Sequence, residues 1–149
     1  MFWRTVLACS LFIFPLRAIA QDSLFEKHPV HNIYKGKLVK PDTKTGIAHM
    51  YRTRIRETYL KEKINFAGHY CFVHWGCGSG CKGSAVVDVK TGKIYKGPDG
   101  TRSYDFNGKS RLLVLNLTDD FSMENPDCEW CKQEIWLWKE KQKKFIRLQ

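Results

Sequence analysis

The chain has 149 residues, with 25 lysines and arginines against 15 aspartates and glutamates, a formal net charge of +10. That length holds one domain with one core, and the charge favours anionic partners. It carries no nucleic-acid recognition motif, no later segment apolar enough to cross a bilayer, no long repeat and no low-complexity linker.

The first twenty residues have the form of a secretory leader. Met1 to Arg4 gives a short positive start, Thr5 to Leu16 is apolar, and Ala18-Ile19-Ala20 supplies a small-x-small cleavage site before Gln21. The apolar run is interrupted by Pro15 and falls short of the roughly 20 residues that a spanning helix needs. Residues 1–20 are therefore predicted to be a signal peptide and 21–149 a single exported α+β domain, periplasmic or secreted. Loss of Arg4 and Arg17 with the leader lowers the charge from +10 to +8.

Gln21 to Lys40 is polar with short apolar patches and predicts at most one edge strand. Pro41-Asp42-Thr43 is a break with helix-start chemistry. From Ile47 to Lys63, Met50, Tyr51, Ile55, Tyr59 and Leu60 fall at helical spacing, which predicts one amphipathic helix. His69 to Trp75 then alternates as a strand, with His69, Cys71, Val73 and Trp75 on one face and Tyr70, Phe72 and His74 on the other. Ala85 to Val89 and Lys93 to Tyr95 flank Lys90-Thr91-Gly92, a hairpin whose glycine takes positive φ. Pro98-Asp99-Gly100 is a turn, Leu112 to Leu117 a buried strand, and Ile135 to Trp138 with Phe145 to Leu148 a last hairpin. The predicted architecture is one amphipathic helix packed on an antiparallel sheet of about six strands.

Five cysteines remain beyond Cys9 of the leader: Cys71, Cys77, Cys81, Cys128 and Cys131. An oxidising compartment makes disulfides the default for close pairs, and an odd number leaves one thiol over. A Cys77–Cys81 bridge, with Cys128–Cys131 as its companion, closes a five-residue glycine loop and contributes about 2 kcal/mol on the chain-entropy model. Cross-pairing would close a loop of about 50 residues and contribute roughly 4 kcal/mol. The sequence leaves both open. Cys71, inside a strand, reads as a small buried apolar group.

Four thiolates at Cys77, Cys81, Cys128 and Cys131 also have structural-zinc spacing, but thiols arriving in an oxidising space are oxidised before they meet metal. Cys128-Glu129-Trp130-Cys131 has the spacing of a redox pair, which needs its first thiolate at a helix N-terminus. The run after it reads as a strand. A Cys–His hydrolase would combine Cys77 with His69 and Asp88, and requires Cys77 unbonded. Gly76 to Ser84 has an anion-cradle composition without the order of a phosphate loop.

Asn65-Phe66-Ala67-Gly68-His69-Tyr70, followed by Trp75-Gly76-Cys77-Gly78-Ser79-Gly80-Cys81, Val87 to Tyr95 and Ser110 to Val114, resembles a group of small exported proteins of Gram-negative bacteria. Their motifs are N-F-A-G-H-Y and W-G-C-G-[ST]-x-C, and the similarity spans about Arg52 to Leu148. The resemblance implies an envelope protein of this fold and attaches no activity. Cys71 and the Cys128–Cys131 element depart from the pattern.

Together these features point to a non-enzymatic binding or inhibitor-type protein without cofactor or metal. Its disulfide-shaped loop would engage an acidic protein or anionic envelope component through His69, Trp75, Gly76, Gly78, Ser79 and Gly80. The alternative is a thiol-dependent enzyme using Cys77, His69 and Asp88.

Overall fold

The computed structural model describes residues 24–117 and 127–148. The leader expected over residues 1–20 lies outside the described residues. Two short helices come first, α1 (Gly46–Met50) and α2 (Arg52–Glu62). Seven strands follow: β1 (Tyr70–Gly78), β2 (Cys81–Asp88), β3 (Ile94–Lys96), β4 (Tyr104–Phe106), β5 (Leu112–Leu115), β6 (Glu134–Lys139) and β7 (Lys144–Arg147).

The α+β class and antiparallel pairing are as expected, but the single sheet of about six strands is not. The strands form two antiparallel sheets in sequential order, β1-β2-β3 and β4-β5-β6-β7. The reason lies in β1, whose two faces are both apolar. Cys71, Val73 and Trp75 pack with Ala85 and Val87 of β2 against Ile55 and Tyr59 of α2. Tyr70 and Phe72 on the opposite face need a cover of their own. The second sheet supplies it with Leu113, Leu115 and Trp138. A sheet with one helix would have left these rings in water.

The layer between the sheets is largely aromatic. Tyr70 and Trp138 meet edge-on at 5.0 Å, Phe72 lies 4.6 Å from Phe106, and Phe66 stacks on Phe145 at 5.7 Å. Such pairs add about 0.5–1.5 kcal/mol each beyond the area they bury. The outer face of the second sheet, with Leu112, Val114 and Leu137, is covered by Phe25. Ser110 ties that segment down, its hydroxyl donating to the carbonyl of Phe25 at 2.8 Å.

The expected helix over Ile47–Lys63 is divided at Tyr51, whose φ and ψ of −106° and 22° leave the helical region. The ring of Tyr51 stacks on Trp75 at 4.3 Å, which anchors the break to the core. Only Ile55 and Tyr59 of α2 are buried; Met50 and Leu60, expected on the apolar face, are 71% and 75% exposed. No strand forms between Leu24 and Lys40. That segment instead runs alongside the others, with Val30 N–H donating to Lys109, Tyr34 to Gly68 and Val39 to Val89. Strand β4 was not anticipated, because three half-buried residues carry too little periodicity to read. The expected strand Leu112–Leu117 ends at Leu115, where Asn116 takes a positive φ of 52°.

The hairpin around Gly92 forms as expected, and the register sets Cys71 opposite Val87, Trp75 opposite Gly83 and Val86 opposite Tyr95. Gly92 sits at φ 76° in the second turn. Trp75 owes its packing to Gly83, where a Cβ would lie 2.6 Å from the indole Nε1. Gly76, by contrast, has nothing within 4 Å of a Cβ. Gly83→Ala should therefore destabilise by about 1–3 kcal/mol through overpacking, and Gly76→Ala by less than about 1 kcal/mol. Urea unfolding of the two variants checks this; equal losses would contradict it.

Candidate functional site

The Asn65–Tyr70 motif is a turn that hands the chain into β1. Ala67 and Gly68 both take positive φ, 42° and 81°. Gly68 is sterically required as well, since a Cβ there would lie 2.7 Å from the Asn32 carbonyl oxygen. The turn folds Phe66 back on Tyr70, whose N–H donates to the Phe66 carbonyl at 3.0 Å. The Asn65 side chain then imitates one more strand residue. Its Oδ1 accepts from Phe72 N–H at 2.6 Å, and its Nδ2 donates to the Phe72 carbonyl at 3.1 Å.

At the start of β1, a polar cluster joins the two sheets. The buried Tyr70 hydroxyl donates to Glu140 at 2.8 Å and accepts from Lys143 Nζ at 2.6 Å. Trp138 Nε1 donates to the same carboxylate at 3.0 Å. His69 Nε2 lies 3.5 Å from Glu140, and Lys143 Nζ lies 3.9 Å from the buried Asp88 carboxylate. Burial raises Glu140, but hydrogen bonds from Lys143, Tyr70 and Trp138 outweigh it and hold the carboxyl below 4.5. Burial lowers His69 below 6.5 against the opposing pull of Glu140, with Lys90, Asp88 and Lys143 also facing it. Burial and the hydrogen bond to Glu140 raise Tyr70 well above 10. A tyrosine held protonated this way serves as a hydrogen-bonding post rather than a base.

The far end of β1 differs in kind. Cys77 and Cys81 form a disulfide that locks the tip of the β1–β2 hairpin. Gly76, Cys77, Gly78, Ser79 and Gly80 are exposed there, and Gly78 and Gly80 take positive φ of 131° and 67°. Beside the tip, a cleft of about 820 Å³ opens along the outer edge of β1. Arg54, Thr58 and Lys61 of α2 form one wall, His74, Trp75 and Gly76 the floor, and Lys82 and Phe106 the other side. Glu57 and Glu62 also reach it, Glu62 paired with Lys61 at 3.3 Å. Burial, then the charges of Lys82 and Arg54, hold the His74 imidazole below 6.5.

The residues expected to act together are thus divided. Gly76, Gly78, Ser79 and Gly80 share the hairpin tip. Trp75 is 5% exposed beneath it, between Tyr51 and Gly83. His69 belongs to the opposite end, about 26 Å from Cys77 at roughly 3.3 Å per strand residue. His69 and Asp88 are neighbours in the polar cluster, but Cys77 is bonded to Cys81 and cannot act as their thiolate. Cys128 and Cys131 likewise pair with each other, around a three-residue 3₁₀ turn that β6 follows. A four-thiolate metal site is therefore not formed, and no cluster of three or more potential ligands occurs among the described residues. Cys71 is the buried free thiol, its ionisation pushed up to about 12 by burial.

Arg54, Lys61 and Lys82 were not singled out by motif, because exposed cations at irregular spacing look like any solvated surface. Glu140 and Lys143 meet Tyr70 from 70 and 73 residues away. Asn116 escaped notice too: its Oδ1 accepts from Thr101 and Arg102, while its Nδ2 donates to Trp130 and Lys132. No family model, curated protein or solved structure matches the chain.

The polar cluster has a pH signature. Depressed values at His69 and Glu140 mean that the unfolded chain takes up protons first. Stability present above pH 6.5 should fall below it as His69 resists protonation, and fall again below pH 4.5 as Glu140 is neutralised. The raised Tyr70 acts oppositely, and its contribution is lost as pH rises above 10. Thermal midpoints should plateau between these limits, and His69→Gln should flatten the first acid limb. An acid limb identical in that variant would contradict the assignment.

Proposed function

We propose that this chain is an exported binding protein of inhibitor type, periplasmic or secreted, which engages an acidic protein or an anionic envelope component. The observation that carries this reading is the cleft of about 820 Å³ beside the locked hairpin tip, where Arg54, Lys61 and Lys82 outnumber Glu57 and Glu62. A rigid tip next to a hollow with an excess of cations suits recognition, because little conformational freedom is lost when a partner docks.

Several other features support it. The leader-like N-terminus and two close cysteine pairs fit an oxidising compartment. The similarity to small Gram-negative envelope proteins through the Asn65–Tyr70 and Trp75–Cys81 motifs points the same way. Among the described residues no helix is long and apolar enough to cross a membrane. The recognition residues of this reading are Gly76, Gly78, Ser79 and Gly80 at the tip, with Trp75 supporting it from below, whereas His69 lies in the distant polar cluster. A thiol-dependent reaction at Cys77 gains no support, since its sulfur is bonded to Cys81.

Immobilised protein should retain an acidic component from an envelope extract at low ionic strength and release it at about 0.5 M salt, where exposed charges are screened within a few ångströms. The double variant Arg54→Glu, Lys61→Glu should retain little of it. Retention unaffected by both salt and charge reversal would overturn the reading.

A further inference from the structure

Backbone groups along an antiparallel strand point alternately to its two neighbours. In β1, Tyr70 and Phe72 turn theirs away from β2: Tyr70 bonds to Phe66, and Phe72 bonds to the Asn65 side chain. His74 and Gly76 are the next two residues of the same set. Their partners in register on β2 are Ser84 and Lys82, and these direct their own backbone bonds to the other side. The Ser84 carbonyl accepts from Gly97 at 2.9 Å, while Lys82 and Gly100 exchange two bonds at 2.8 Å. The N–H and C=O groups of His74 and Gly76 therefore face outward, into the cleft between α2 and β4.

We propose that this edge of β1 receives an extended acidic segment of the partner as an added strand, pairing with His74 and Gly76. This rests on the proposed function and names its mode of recognition. Main-chain pairing supplies the attachment in such complexes, and side-chain pockets supply the choice of sequence. Asn65 ends the intramolecular pairing at Phe72, and the register shift between Gly76 and Gly78 ends the usable ladder at the other side. The added strand is short, with α2 above it and Phe106 below.

Charge selects the occupant. Three cations, Arg54, Lys61 and Lys82, line the cleft against two carboxylates, Glu57 and Glu62, and beyond the leader the chain carries a formal +8. A second copy would bring the same cations against themselves, whereas a carboxylate-bearing segment is attracted to them. Exposed polar edges are also how sheets resist pairing with their own kind.

The test uses a capped synthetic peptide of about eight residues alternating glutamate with valine, its lysine counterpart as control, and nuclear magnetic resonance of the folded protein. The glutamate peptide is expected to show backbone-to-backbone Overhauser contacts with His74 and Gly76, and to bind about fivefold more weakly to Arg54→Glu. The lysine peptide should not bind. Binding that shifts only the Arg54 and Lys61 side chains would overturn strand addition while leaving the charged cleft as the binding surface. No peptide binding, with envelope capture still salt-sensitive, would likewise overturn strand addition alone. Failure of both experiments would remove the proposed function as well. Contacts across His74 that appear with protein concentration, in the absence of peptide, would assign the edge to a second copy and overturn the proposal.

Discussion

A strand buried on both faces has little water to satisfy its backbone, so β1 must find hydrogen-bond partners along each edge. On one side β2 provides them from Tyr70 to Gly78. On the other, the chain improvises: the turn at Ala67 and Gly68 brings Phe66 against Tyr70, and the Asn65 amide takes the place of a missing strand at Phe72. The most motif-like stretch of the sequence is thus an edge-closing device. Its glycine is there because Asn32 passes too close for a side chain.

Beyond Phe72 the closure stops, and the character of the strand changes with it. Residues Tyr70 to Val73 are buried, whereas His74, Gly76, Cys77 and Gly78 are exposed. One end is fixed by the Tyr70–Glu140–Lys143 cluster across the two sheets, and the other by pairing with β2, the packing of Trp75 and a disulfide at the tip. Between these two ends the edge of β1 is open at His74 and Gly76.

Much of this was legible in the order of residues. The alternation in His69 to Trp75 placed Cys71, Val73 and Trp75 on one face and Tyr70 and Phe72 on the other, and the hairpins around Gly92 and the lysine-rich turn after Trp138 are where turn chemistry put them. Of the pairings that the sequence leaves open, the structure forms the two local ones. What could not be read was long-range. Nothing near Tyr70 announces Glu140, and the length of β4 is below what periodicity can detect. The second sheet follows from taking the Tyr70–Phe72 face seriously as apolar surface, since two such rings demand a cover. The glycine that makes room for Trp75 is Gly83 on the neighbouring strand, a role visible only once the register pairs the two.

Amide hydrogen exchange of the isolated protein at low concentration tests the open edge most directly. The Phe72 N–H, held by Asn65, should exchange slowly, and the His74 and Gly76 N–H groups at least about tenfold faster, since among the described residues no backbone group pairs with them. Exchange at His74 and Gly76 as slow as at Phe72 would mean that the edge is already closed, and would contradict the central claim.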